Sequence, residues 1–299
     1  MGPTNRNYMT QILIDGNNIA NRVFFAFKDL SVNINGQITN SGVIYGFTKF
    51  VINLGLQYNT PNIFIAWDSG SSDRKKLYPE YKSGRDHSHY SDMISQMDDL
   101  CLLLSVMNIT QVRADGYEAD DVIYTLINTL PDGLKVIFSS DKDMTLFLRD
   151  DVIIHRPGEK KIIDSSNIEQ IYGVKQEQLL EFFALRGDKV DNIPGVPGIG
   201  DKIAKTMLNE AGNITNILQQ DYINGVQKSK LKLVKDNIDI LNISLQLIKP
   251  ILIDNKLLKY NNGLIDDVLI DDLLNKYKIR SLNIKSFIKL SGGNNVRTK

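Results

Sequence analysis

The stretch QILIDG, Gln11–Gly16, decides the fold. A short apolar run rich in β-branched residues ends on an acid and a glycine, which reads as a buried strand carrying a carboxylate at its end. Runs of the same kind recur at Asn62–Ala66, Ile109–Val112, Leu134–Phe138 and Val152–His155. Between most of them lie longer segments with helical spacing. Val43, Phe47, Phe50, Val51 and Leu54 make one apolar stripe, and Ile94, Met97, Cys101 and Leu104 make another. Strands alternating with helices imply right-handed crossovers, so the expected fold is α/β, with a mostly parallel central sheet and flanking helices on both faces. Beyond about Asn192 the strand signal fades. Short helices separated by Gly, Asn and Pro follow, ending in the polar tail Ser291–Lys299. The expected division is residues 1–191 as an α/β core and 192–299 as a helical region.

The chain has 299 residues, enough for one large domain or two fused ones, and 42% are hydrophobic. Thirty-five basic and 35 acidic residues leave no net charge, which excludes a polycation that binds by bulk charge. A single cysteine, Cys101, excludes a disulfide framework and a cysteine-rich zinc site. Apolar runs fall short of a membrane span and the start is polar, so an intracellular chain without a membrane partner is expected.

The chemistry lies in the placement of the acids. Asp15 closes the first strand and Asp68 the second; Glu118, Asp120 and Asp121 (YEADD) open a helix after the third; Asp141 and Asp143 (SSDKD) follow the fourth. In a parallel sheet these positions fall at the carboxyl ends of the strands, where open α/β folds place their sites. A further pair, Asp188 and Asp191, has the spacing that puts both groups on one side of a turn. An acid after a strand is often only a cap, but so many converging like charges need cations to offset them. Oxygen-only ligands select hard cations, Mg²⁺ or Mn²⁺. Of the three histidines, His87 and His89 lie in one charged stretch and His155 on a strand. Two hard cations held a few ångströms apart are a device for in-line displacement at a phosphodiester.

Two other segments stand out. Ser69–Ser91 is a long charged connection, in which Arg74, Lys75, Lys76, Lys82 and Arg85 outnumber Asp73, Glu80 and Asp86. The turn GVPGIGDKIAK begins at Gly195. It has P-loop glycine spacing, but Asp201 stands where a P-loop needs Lys. It reads instead as a helix-hairpin-helix, whose backbone N–H groups at Gly195, Gly198 and Gly200 would grip a DNA phosphate without reading sequence. Lys202 and Lys205 follow on that helix, and Lys228, Lys230, Lys232 and Lys235 extend the basic surface.

ILIDGNN, AWDSG…YPEYKSGR, GYEADD, SSDKDM and LRGDKVDNIPGVPGIGDKIA, in this order and spacing, resemble the 5′-nuclease (flap endonuclease) family over roughly residues 10 to 250. The likeness is to the 5′→3′ exonuclease domain of bacterial DNA polymerase I and its stand-alone bacteriophage relatives. The chain ends where a polymerase domain would begin, so the stand-alone form is expected. The resemblance implies a structure-specific enzyme that cleaves DNA near 5′ ends, flaps and nicks with two Mg²⁺ ions, Mn²⁺ substituting. Attack in line on the phosphodiester would leave a 5′-phosphate and a 3′-hydroxyl.

The same resemblance carries over the site. Asp15, Asp68, Glu118, Asp120 and Asp141 would serve the first metal; Asp121, Asp143, Asp188 and Asp191 the second; Asp141 would touch both. Residues 69–91 would form the helical arch. Lys82 and Arg85 at its base would bind the scissile phosphate, and Tyr81 would offer a stacking face to a base. The expected partner is DNA with a 5′ single-stranded arm or a 5′ end on a duplex. A monomer in the cytoplasm of a bacterium or a phage-infected bacterium is expected, and no sliding-clamp peptide is evident. Two other classes stay open: a structure-specific DNA-binding protein with degenerate chemistry, and a PIN-like ribonuclease. The intact acids weigh against the first, and the helix-hairpin-helix and arch against the second.

Overall fold

A computed structural model describes residues 9–85 and 90–291. Asp86, His87, His89 and the tail beyond Ser291 lie outside the described residues. Along the chain, β1 (Gln11–Asp15) runs into α1 (Gly16–Ala26), and a hairpin of β2 (Ser31–Ile34) and β3 (Gln37–Asn40) precedes α2 (Gly42–Tyr58) and β4 (Ile63–Ala66). Then come α3 (Ser72–Leu77), α4 (Tyr90–Val106), β5 (Thr110–Arg113), α5 (Ala119–Thr129), β6 (Lys135–Phe138), β7 (Val152–His155) and β8 (Ile162–Ile163). The helices α6 (Ile168–Tyr172), α7 (Leu179–Arg186), α8 (Asp201–Ala211), α9 (Ile214–Gln219), α10 (Lys228–Asp236) and α11 (Ile238–Ile248) follow. A last short strand, β9 (Lys259–Asn261), precedes α12 (Asp267–Lys276) and α13 (Ile284–Leu290).

The sheet has the order β8-β7-β6-β1-β4-β5-β9. The five strands expected from the apolar runs are its parallel centre, and β8 and β9 pair antiparallel at the two edges. Central β1 is buried along its whole length, as a strand covered on both faces must be. The pleat divides its side chains: Ile12 and Ile14 face the layer of α1, α2 and α4, while Leu13 faces α5 and α7. From β1 the chain builds outward through β4 and β5, then crosses back to β6 on the other side. That reversal opens a crevice at the carboxyl ends of β1 and its neighbours.

The β2–β3 hairpin, β8 and β9 carry no clear apolar run and were not expected. β9 brings the chain back to the sheet edge, and α12 and α13 then pack on α4 and α2. In residues 69–85 the charged connection is not a loose loop: α3 and the turns after it bury Arg74 and Tyr81.

Candidate active site

The crevice holds a cleft of about 350 Å³ lined by Asp15, Asp68, Glu118, Asp120, Asp141, Asp188 and Asp191, with Lys82, Arg85 and Lys142 facing them. Each acid is placed by local backbone chemistry. Asp15 ends β1 and caps α1, accepting from Asn18 N at 3.1 Å and from Ser139 Oγ at 2.8 Å. Asp68 caps α5, accepting from Ala119 N at 2.7 Å. Both residues thus act as caps and at the same time line the cleft. Asp141 Oδ1 accepts from Asp143 N at 2.9 Å. Asp188 Oδ1 accepts from Val190 N and Asp191 N, so the turn that follows α7 folds around it. That turn docks on the basic segment through Lys82 N to Asp191 O, 2.9 Å.

The electrostatics are those of crowded anions. Burial first, then Asp68, push the Asp15 carboxyl up to about 7. Burial and Asp141 bring Asp143 to about 7 as well. Burial and Asp121 raise Asp120 well above the carboxylate range. Asp188 goes the other way, since the Lys142 ammonium outweighs its burial. Lys82 Nζ donates to Glu118 Oε1 at 2.7 Å and lies 4.0 Å from Asp191 Oδ2. Burial alone would favour the neutral amine, but Glu118 and Asp120 hold Lys82 charged. Arg85 donates to Asp191 Oδ1 from both Nε and Nη2.

Several expectations need correction. Asp121 does not line the cleft; it is fully buried, with Oδ2 bonded to Arg74 Nη1 at 2.6 Å and Oδ1 to Arg74 Nη2 at 2.8 Å. With both oxygens committed to a buried guanidinium, it is not placed as a metal ligand. Tyr81 offers no stacking face, because its ring is 3% exposed and its hydroxyl donates to Glu118 Oε2. Arg74, counted above among the charges of the stretch, is inward-facing and paired with Glu118 and Asp121. Asp143 does not line the cleft either; its Oδ1 is buried and accepts no hydrogen bond.

Other residues at the site were missed. Asn17 Oδ1 accepts from Asp68 N, and Asn18 Oδ1 accepts from Ser140 N and Oγ, so these amides tie the strand ends together. Lys142 bonds Asp188 and lies 3.5 Å from Asp143 Oδ1. All three lie inside IDGNN and SSDKDM; polar residues flanking the acids were the available signal.

The glycine turn links α7 to α8. Gly195 has φ +60 and Gly198 φ +81, as a tight turn needs, but Gly195 is buried and its N–H donates to Ser244 Oγ, so contrary to expectation it is not free to grip a phosphate. Gly200 differs: at φ −104 it is ordinary extended backbone and open to solvent at the start of α8. Lys202 is exposed and Lys205 lies over the Phe182 ring.

Known proteins resemble this chain in sequence and fold. Residues 10–173 match the family described as 5′-3′ exonuclease, N-terminal resolvase-like domain, and residues 174–257 match 5′-3′ exonuclease, C-terminal SAM fold. Nuclease is the class that both matches define. The chain belongs to the 5′-3′ exonuclease family. It is 36% identical over 241 residues to the 5′-3′ exonuclease of Buchnera aphidicola, covering 79% of this chain and 80% of that one. It is 35% identical over 234 residues to DNA polymerase I of Bacillus subtilis, which is 75% of this chain and 26% of the polymerase. The chain thus spans about a quarter of the length of the polymerases it matches. Among solved structures, the T5 D15 protein co-crystallised with metal ions shares the fold, with a TM-score of 0.68 at 20% identity, over 94% of this chain and 99% of that one.

Proposed function

We propose that this chain is a structure-specific 5′ nuclease that hydrolyses DNA phosphodiesters near 5′ ends, flaps and nicks. The observation that carries the reading is the cleft itself, in which seven carboxylates face Lys82, Arg85 and Lys142 at the switch point of the sheet. A binding module would have no use for so costly a concentration of negative charge.

The donor chemistry fits divalent metal ions. The ligands are all oxygen, the anions outnumber the cations, and the buried Asp143 Oδ1 accepts no hydrogen bond. Among the described residues no group of three acids is already arranged around one point, and Lys82, Arg85 and Lys142 bond the acids instead. Loading therefore asks Asp188 and Asp191 to exchange Lys142 and Arg85 for metal, while Glu118 keeps Lys82 and serves its ion through water. Asp15, Asp68, Glu118, Asp120 and Asp141 would hold one Mg²⁺, and Asp143, Asp188 and Asp191, with Asp141, a second; Mn²⁺ would substitute. The ions would supply Lewis-acid charge at the attacking and leaving oxygens.

The protein's own groups do the rest. Lys82, still held by Glu118 Oε1, and Arg85, released from Asp191, bind the scissile phosphate and offset the charge that grows on it. Asn17, Asn18 and Ser139 hold the acids at fixed distances. The N-terminus of α8, with Gly198, Gly200, Lys202 and Lys205, grips a duplex phosphate away from the cut. The T5 D15 flap endonuclease has been solved in complex with DNA and metal ions, and its fold likeness to this chain supports this partner. A monomer in the cytoplasm of a bacterium or a phage-infected bacterium is the matching setting.

The test is digestion of an end-labelled 5′ flap, a nicked duplex and a single-stranded RNA, with and without Mg²⁺. Metal-dependent cleavage of the flap and nick is expected. Preference for the RNA would favour the PIN-like ribonuclease, and tight flap binding without any cleavage would favour the degenerate binding protein.

A further inference from the structure

Helix α3 buries a single residue, and that residue is a cation. Arg74 is 4% exposed between exposed neighbours Asp73 and Lys75. Such burial needs full pairing, and Arg74 has it. Its Nε donates to Leu247 O at 2.9 Å, Nη1 to Glu118 Oε2 at 3.0 Å and Asp121 Oδ2 at 2.6 Å, and Nη2 to Asp121 Oδ1 at 2.8 Å and Lys249 O at 3.3 Å. Glu118 is the branching point. Its Oε2 takes Arg74 and the Tyr81 hydroxyl, and its Oε1 takes Lys82 Nζ. Asp121 Oδ1 also accepts from Ile251 N at 2.8 Å, which ties the chain after α11 to the same guanidinium.

We propose that Arg74 is a positioning residue for cleavage. It fixes Glu118, and through Glu118 it sets where the Lys82 ammonium stands in the cleft; Asp121 serves Arg74, not the cleft. The proposal rests on the nuclease reading above. Geometry gives the reason. A planar fork can hold two carboxylates and two carbonyls at once, and one ammonium cannot. With Lys at this position Glu118 loses an anchor while the charge stays. Lys82 then drifts from the place where it meets the scissile phosphate.

Arg74→Lys tests this in the full chain. Single-turnover cleavage of a 5′ flap at saturating enzyme is expected to fall on the order of tenfold to a hundredfold, the scale of a misplaced catalytic group. Flap affinity in Ca²⁺ should stay near that of the wild type. Because Arg74 acts through Lys82, adding Arg74→Lys to Lys82→Ala should slow cleavage by no more than about twofold. Full multiplication of the two losses would make Arg74 a plain structural residue and overturn the proposal. A second variant, Arg74→Met with Asp121→Leu, removes the pair without stranding a buried charge, and the same slowing is expected; a near-normal rate would overturn the proposal. An independent readout uses protein reductively methylated with ¹³C at its lysines. The Lys82 dimethylammonium resonance should move in Arg74→Lys while those of Lys75 and Lys76 stay; an unmoved Lys82 signal sinks the idea. If the wild type cleaves nothing in Mg²⁺, the nuclease reading fails, and the resonance alone decides whether Arg74 positions Lys82.

Discussion

Lys82 and its neighbours on the same segment differ in what holds them. Lys75 is exposed, and Lys76 pairs with exposed Asp73, whereas the Lys82 side chain is 17% exposed and anchored on Glu118. A lysine that merely attracts DNA acts through screened charge and is replaced by more enzyme; one that touches the scissile phosphate acts in the transition state. Lys82→Ala is therefore expected to slow single-turnover cleavage by at least about a hundredfold even at saturating enzyme. Changing Lys75 and Lys76 together to Ala should be largely rescued by raising enzyme concentration. Rescue of Lys82→Ala in the same way would reduce it to a steering charge. The acids make a separate forecast for metal-free protein. Asp15 and Asp143 titrate near 7 in the fold and near the usual carboxylate value when unfolded, so burying them favours the fold fully only below the unfolded value, and that contribution is lost as pH rises through 7. For Asp15 the difference amounts to about 4 kcal/mol at most. Asp188, held low by Lys142, works oppositely and loses its contribution as pH falls below the ordinary carboxylate range. Metal-free protein should thus melt highest near pH 5 and lower at pH 8. Asp15→Asn should flatten that slope; an equally steep profile in the variant would show that the Asp15 shift is absent.

At the scale of the element, the glycine turn separates shape from contact. A Cβ on Gly195 would meet Gly187 N at 2.4 Å and the Arg186 carbonyl carbon at 2.6 Å, both backbone atoms. Its left-handed φ adds roughly 1–2 kcal/mol for any L side chain. Gly195→Ala should lower stability by at least that amount in urea unfolding, with every substrate affected. Gly200 has nothing within 4 Å of a built Cβ, so Gly200→Ala should leave the fold intact. With the duplex grip proposed for the start of α8, an added methyl there would crowd the approaching phosphate, so binding of duplex substrates should weaken while short single strands are cleaved nearly as before. Equal losses on both would argue against a duplex grip at this turn. Conformation and contact could not be told apart from the string GVPGIG, since both ask for glycine.

The whole molecule is closed by its last helices. Phe287 on α13 is fully buried and lies against Gly55 on α2, where a Cβ would meet the ring at 2.3 Å. Loss of this ring should open a cavity in the layer that supports β1. Phe287→Ala is expected to cost about 3–5 kcal/mol in urea unfolding, with cleavage retained at low temperature. A loss well under 1 kcal/mol would mean that α13 is a loose appendage and not part of the core.

Much of this was legible in the chain. The apolar runs at Gln11–Ile14 and its four counterparts became the parallel strands, because a strand covered on both faces must be apolar nearly throughout. The acids followed, because carboxyl ends of parallel strands share one edge. What the chain could not show is pairing between distant residues. Arg74 reads as one more charge in a basic stretch until α5 and the segment 247–251 close around it, and Asp121 looks like a cleft ligand until that guanidinium takes both its oxygens. Tyr81 likewise reads as an exposed ring until its hydroxyl is seen on Glu118. β9 is three exposed residues with no apolar pattern, and only the open edge of β5 makes it a strand. Local pattern determined which residues build the sheet and bring acids to its edge; the side on which each charge finds its partner depends on contacts more than thirty residues apart, which only the folded chain decides.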